Sequence, residues 1–279
     1  LFAGLTAVLA KQGVRTTDST LATALRTPVV LVGAWAMTVL SGSIRELGGV
    51  DARSLVYLLA SGLATGASWL CYFKALQLGD VSRVAPVDKM STVLTIVMAA
   101  LLLGEDLGAL GALGLVLVTV GTLLMLRAED LRALPRALAG GGGWLLYALG
   151  AALFAALTAI LGKIGIAAVP SDLGTAIRTG VVLVMAWVMV GVAGRLRGAA
   201  HVPRGEMTWI LLSGVATCAS WLCYFRALQD GPASVVVPID KLGVLVSVAF
   251  SVLVLRERVG VRALVGLAVL VAGTVALAV

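Results

Sequence analysis

Apolar runs close to 20 residues long alternate with short polar breaks along the whole chain. A run of that length is what an α-helix needs to cross a hydrocarbon core about 30 Å thick. The pattern predicts ten helices, at 1–14, 19–41, 53–78, 81–103, 107–127, 144–168, 171–194, 206–229, 233–255 and 259–279. The breaks between them are too short to hold a soluble domain. The first helix falls short of a span. Leu1-Phe2-Ala3 aligns with Leu153-Phe154-Ala155 of a longer helix, which predicts that about ten residues precede it.

The polar positions repeat along with the apolar ones. Residues 68–89 read SWLCYFKALQLGDVSRVAPVDK and residues 220–241 read SWLCYFRALQDGPASVVVPIDK, identical at 15 of 22 positions with an offset of 152. At the same offset LTAVLAK (5–11) matches LTAILGK (157–163), and TALRTPVVLVGAWAM (23–37) matches TAIRTGVVLVMAWVM (175–189). Gly114 and Gly121 match Gly266 and Gly273, where small residues let helices approach closely. The expected organisation is a first five-helix repeat over 1–127, a polar Gly-rich linker over 128–143 and a second repeat over 144–279. Five is odd, so the second repeat enters the bilayer from the opposite side. The predicted fold class is an all-α membrane protein of ten transmembrane helices in two inverted five-helix repeats.

Composition agrees with burial in lipid. Hydrophobic residues make up 60% of the chain and charged residues 13%, with mean hydropathy +1.07. A soluble domain is nearer half apolar and about a quarter charged. The net charge of +7 does not imply nucleic acid, because many basic residues flank helices, where they orient a membrane protein. Arg127, Arg132, Arg136, Arg195, Arg197, Arg204, Arg256, Arg258 and Arg262 fall on one side, which that rule places in the cytoplasm. Cys71, Cys218 and Cys223 are mid-helix and read as reduced thiols. No metal-ligand spacing, phosphate loop or nucleophile–base pair is present, so no cofactor, metal or enzymatic activity is expected.

Several polar residues sit inside the spans. Lys11, Arg26, Asp88, Lys89, Ser68 and Tyr72 lie roughly 6–15 Å from one face, at 1.5 Å of rise per residue. Lys163, Arg178, Asp240, Lys241, Ser220 and Tyr224 lie at matching depth from the other. A charge at mid-bilayer costs about 2.5–3.5 kcal/mol on insertion scales, so these residues need partners or a wet cavity. Neighbours on a helix point about 100° apart, so Asp88 pairs with Arg26, Asp240 with Arg178, or the acids pair with lysines across the repeats. Six basic residues against two acids favour an anionic ligand, with Arg as a fork and Lys as a point charge. Asp88 and Asp240 are the candidates for proton coupling. A stripe of Ser61, Thr65, Ser68 and Tyr72, repeated as Ser213, Thr217, Ser220 and Tyr224, serves either inter-helix hydrogen bonding or a cavity wall. Pro86 and Pro238 each precede an Asp by two residues and mark either a packing kink or a hinge. Glu105 and Glu257 stand before the fifth and tenth helices and read as helix caps there.

These features resemble the drug/metabolite transporter superfamily, EamA type. The resemblance rests on two five-helix repeats, the ALQLG and ALQDG helix ends, the APVDK and VPIDK motifs, and the LGEDL and LRERV junctions. It implies a carrier in a bacterial inner membrane with cytoplasmic termini, which conflicts with the arginine count. It also implies a cavity between the repeats, lined by Ser68, Tyr72, Asp88, Lys89 and their repeat partners. In phosphate-carrying relatives, basic residues on the fourth and ninth helices hold the anion, similar to Lys89 and Lys241. The expected function is secondary transport of a small organic anion or zwitterion by alternating access. Lys89, Lys241, Arg26 and Arg178 would hold the anion, and Tyr72, Tyr224, Ser68 and Ser220 would shape the cavity. The alternatives are export of amines or aromatic compounds, and a lipid-handling membrane protein. The partners are a small solute and the bilayer, with the protein a monomer or homodimer.

Overall fold

Each apolar run forms an α-helix in a computed structural model of the protein. The structure describes residues 1–78, 81–124, 143–243, 245–246, 248–249 and 260–279, and for residues 81–83, 85–86, 88–89, 197, 199–200 and 263 the backbone alone. Among these residues there is no strand, and ten α-helices have described bounds. They are α1 (Phe2–Gly13), α2 (Ser19–Ser41), α3 (Ala52–Leu78), α4 (Val81–Leu102), α5 (Gly108–Leu124), α6 (Gly143–Gly165), α7 (Ser171–Val192), α8 (Arg204–Asp230), α9 (Ala233–Lys241) and α10 (Val261–Ala278). Short 3₁₀ turns at Ser43–Gly49 and Leu196–His201 join α2 to α3 and α7 to α8. Five helices, α2, α3, α6, α7 and α8, are each long and apolar enough to cross a bilayer. The linker arginines, Arg256, Glu257 and Arg258 lie outside the described residues.

Element boundaries recur at the sequence offset. Helix α3 starts at 52 and ends at 78, and α8 starts at 204 and ends at 230, both shifted by 152. The starts of α2 and α7, and of α4 and α9, show the same shift. Local chemistry explains the starts. Asp18 accepts from the Thr20 and Leu21 N–H groups (3.0 and 3.3 Å) and opens α2. Asp51 accepts from the Ser54 N–H (3.1 Å), and hydrogen bonds from Ser54 hold its carboxyl below the usual carboxylate range. Gly42 closes α2 at φ 82°, a left-handed conformation that glycine adopts without strain. Within the helices, threonine hydroxyls such as those of Thr38, Thr95 and Thr274 donate to the carbonyl four residues back, so they present no open polar group to lipid.

One predicted helix is interrupted. The apolar run over 233–255 predicts a continuous helix, but α9 ends at Lys241 and Leu242 forms a turn, its N–H donating to the Ile239 carbonyl (3.0 Å). Helical backbone resumes at Gly243. The break comes one turn after Pro238, whose own effect, a lost N–H and a clash with the carbonyl four residues back, falls on the preceding turn at Ser234. Apolar periodicity shows none of this, because the residues on both sides of the break are equally apolar.

The chain divides into two compact units that do not follow the sequence halves. Unit 1 comprises Leu1–Gly66, Leu161–Asp230 and Gly243–Ser251, and unit 2 comprises Ala67–Ile160, Gly231–Leu242 and Val252–Val279. In unit 1, α8 packs on α1, α2 and α7, and α2 packs on α7. In unit 2, α5 packs on α10, and α4 packs on α5 and α9. The α5–α10 contact is made by the repeated glycines. A Cβ at Gly121 would lie 2.8 Å from the Gly266 carbonyl oxygen, and one at Gly114 would lie 2.8 Å from that of Gly273. The register runs in opposite senses, so these two corresponding helices cross antiparallel. Apolar side chains fill the rest of unit 2. Val84, Val87, Trp144, Leu145 and Ala148 form one cluster with Ala75, and Tyr72 packs against it.

Candidate functional site

Arg178 is the largest fully buried side chain among the described residues, 1% exposed, two turns into α7. Its Nε donates to Ser61 Oγ (3.3 Å) and its Nη2 to Thr65 Oγ1 (2.8 Å), both on α3. The guanidinium carbon lies 4.4 Å from the Phe225 ring centroid and 5.0 Å from that of Trp221, both on α8. Such contacts place the positive charge against the negative faces of the rings. Gly162 on α6 makes room, since a Cβ there would lie 2.6 Å from Phe225 Cε1 and 3.2 Å from Ser61 Oγ. The charge therefore rests on hydroxyls and ring faces, not on a carboxylate. Nη1 is buried without a hydrogen-bond partner among the described residues.

Arg26 stands at the corresponding place on α2 and is half-buried. Among the described residues it has no hydrogen bond or ion pair. Lys163 is drawn to a helix end, where its Nζ donates to the Leu228 carbonyl in the last turn of α8 (3.2 Å). Lys11 ends α1 and is exposed. In α9, Pro238 is buried, Asp240 half-buried and Lys241 exposed, immediately before the break at Leu242. Pro86, Asp88 and Lys89 lie in the helical backbone of α4, and their side chains lie outside the described residues.

The polar stripe of α3 divides in two. Ser61 and Thr65 hold Arg178, whereas the buried Ser68 donates to the Ala151 carbonyl of α6 (2.9 Å) and Tyr72 packs among apolar residues. On α8, Ser213 and Thr217 donate to backbone carbonyls of their own helix (both 2.7 Å). Ser220 and Tyr224 are half-buried, and Tyr224 packs edge-on against Phe225.

Three polar residues that sequence reasoning did not assign to these roles tie helices together. The sequence predicts Glu105 as the cap of α5, but Asp106 accepts the Gly108 N–H there (3.0 Å). Glu105 instead takes the Ala233 and Ser234 N–H groups (2.7 and 2.9 Å), capping α9 from the loop before α5. An acid close to one helix start can serve another helix equally well, and only the fold chooses. Gln229 donates to the Ile166 and Val169 carbonyls (2.7 and 2.8 Å), and its recurrence as Gln77 in the repeat was the available signal. Glu206 accepts from the Thr16 and Thr17 N–H groups (3.1 and 2.9 Å), joining the start of α8 to the α1–α2 loop.

A family model, the EamA-like transporter family, matches residues 1–127 and 142–279. The chain belongs to the EamA-like transporter family. It is therefore a multi-pass membrane protein and a transporter, within the drug/metabolite transporter superfamily. An uncharacterized transporter in the cobO 3′ region of a Sinorhizobium species is 45% identical over 124 residues, 44% of this chain and 88% of that protein. An uncharacterized protein of Methanocaldococcus jannaschii is 30% identical over 73 residues, 26% of this chain and 53% of that protein. A solved structure, titled only as the crystal structure of a protein, superposes with TM-score 0.72 at 17% identity. The match covers 98% of this EamA-like chain and 92% of the other, and so bears on the fold alone.

Proposed function

We propose that this EamA-like protein is a secondary transporter of a small organic anion or zwitterion, working by alternating access in a bacterial inner membrane. The observation that carries the reading is positive charge inside the spans that no described carboxylate meets. Arg178 is buried on hydroxyls and rings, Arg26 has no partner among the described residues, and no described carboxylate pairs with either. A guanidinium in lipid is costly unless an anion or water meets it. Lys89 and Lys241, one on α4 and one on α9, add charge of the same sign at a common position of the repeat.

The ten-helix arrangement as two inverted five-helix repeats supports exchange between two conformations. It is favoured by the recurring element boundaries and by the antiparallel crossing of α5 with α10. The Sinorhizobium relative, nearly nine-tenths covered by 124 residues, is about half the length of this chain, consistent with the half as a building unit. In this reading Pro238 and the break at Leu242, which lie beside Asp240 and Lys241, serve as the hinge. Asp88 and Asp240 are the acids through which a proton gradient would couple, and Tyr72, Tyr224, Ser68 and Ser220 complete the assigned set.

The test is uptake into proteoliposomes under an imposed pH gradient, with Lys89→Ala and Lys241→Ala beside wild type. Loss of at least tenfold in both variants is the expected result. Unchanged uptake in both removes the basic site from the reading.

A further inference from the structure

The two repeats hold their arginines against the facing helix with the same backbone geometry. A Cβ at Gly62 would lie 2.8 Å from the Arg178 carbonyl oxygen and 2.7 Å from Val181 Cβ. A Cβ at Gly214 would lie 2.9 Å from the Arg26 carbonyl oxygen and 2.9 Å from Val29 Cβ. Each of these residues maps onto its counterpart at the offset of 152. Helix α7 thus meets α3 as α2 meets α8, and each arginine starts from an equivalent place.

The side chains then differ. Arg178 is enclosed by Ser61, Thr65, Trp221 and Phe225. The hydroxyls at the positions corresponding to Ser61 and Thr65, those of Ser213 and Thr217, donate along their own helix, and Thr217 also reaches Thr6 Oγ1 (3.4 Å). The two repeats also differ in sequence at one position beside this place. Gly162, which lets Phe225 and Ser61 close over Arg178, is Ala10 in the first repeat. Two turns beyond each arginine the contact is kept with the sizes exchanged: Met185 packs against Gly66, and its counterpart Gly33 packs against Cys218 beside an apolar hollow of about 540 Å³. A buried arginine whose fork is satisfied on one side by fixed hydroxyls is held. Arg26, half-buried, has no hydrogen bond or ion pair among the described residues.

We propose that the two repeats have specialised, with Arg178 a parked cation that positions α3, α7 and α8, and Arg26 the arginine that meets the transported anion. This rests on the anion reading above and adds an asymmetry to it. Arg26 then forks the two oxygens of a carboxylate or phosphate, a geometry that lysine does not reproduce. Arg178 acts through its neighbours and does not touch the anion.

Phenylglyoxal, which modifies accessible guanidinium groups, tests this on the full chain in lipid vesicles, read by peptide mass spectrometry. The expected result is modification of Arg26 at least tenfold faster than Arg178, slowed by benzoate or inorganic phosphate. Gly162→Ala, which wedges Phe225 from Ser61, should raise the Arg178 rate several-fold and lower kcat for uptake without changing KM. Ser61→Ala with Thr65→Val should also raise that rate if the double variant folds. Arg26→Lys should raise KM at least tenfold. Equal rates at the two arginines overturn the proposal, and if benzoate then slows both, the anion reading survives without it. A tenfold difference with no protection by either anion and no effect of Arg26→Lys removes the anion reading together with the role given to Arg26.

Discussion

At the scale of single residues, the informative groups are the charged ones that the fold places inside or between helices. Arg178 shows why a buried cation is not by itself evidence of an ion pair. Two hydroxyls and two ring faces replace the carboxylate that spacing along the sequence suggested. Glu105 shows the reverse case, an acid whose role is structural and reaches across 128 residues of chain. Two charge-assisted hydrogen bonds to a helix N-terminus are worth about 2 kcal/mol. Glu105→Ala should therefore lower stability by roughly that amount and speed exchange of the Ala233 and Ser234 amide protons. Hydrogen-exchange mass spectrometry of the 230–242 peptide, beside thermal unfolding in detergent, is the check. Unchanged protection of that peptide would contradict the cap. The residues were all visible in the sequence, but their partners were not, because contact depends on helices far apart along the chain.

At the scale of elements, the helices follow from apolar run length and from caps close in sequence, so nearly all their boundaries were legible. Asp18 and Gly42 fix the ends of α2 by local hydrogen bonds and backbone conformation. The break after Lys241 was not legible, since a proline signals a kink without saying where the helix fails. Packing without a hydrophobic driving force between helices in lipid relies on close approach, which the repeated glycines allow. At Gly121 a Cβ would lie 2.5 Å from the Leu270 nitrogen, which is backbone and cannot swing aside. Gly121→Ala should separate α5 from α10 and cost about 1–3 kcal/mol. A fall in the unfolding temperature of the purified protein checks this, and Gly180→Ala, which meets nothing within 4 Å, serves as the control.

At the scale of the whole molecule, the proposed function ties the sign of the solute to the balance of charge within the spans, and that tie can be tested directly. A ligand that binds only the folded state raises stability by RT ln(1 + [L]/Kd), about 2.7 kcal/mol at a hundredfold excess over Kd. In a thermal-shift screen, carboxylate- or phosphate-bearing metabolites should stabilise the protein and simple amines should not. Stabilisation by amines alone would favour the aspartates as the binding groups and reverse the assigned sign. The sequence by itself determined the all-helical membrane class, the two-fold repetition and which charges fall within apolar runs. It could do so because lipid imposes run length, and duplication preserves spacing, without reference to any distant contact. Tertiary structure alone decided which charges are satisfied. Arg26 and Arg178 carry the same residue type at the same place in the repeat, yet only the neighbours brought by α3, α6 and α8 make one of them held. The neighbours that hold Arg178, with Gly162 making room for the Phe225 ring, meet only when helices far apart in the chain come together.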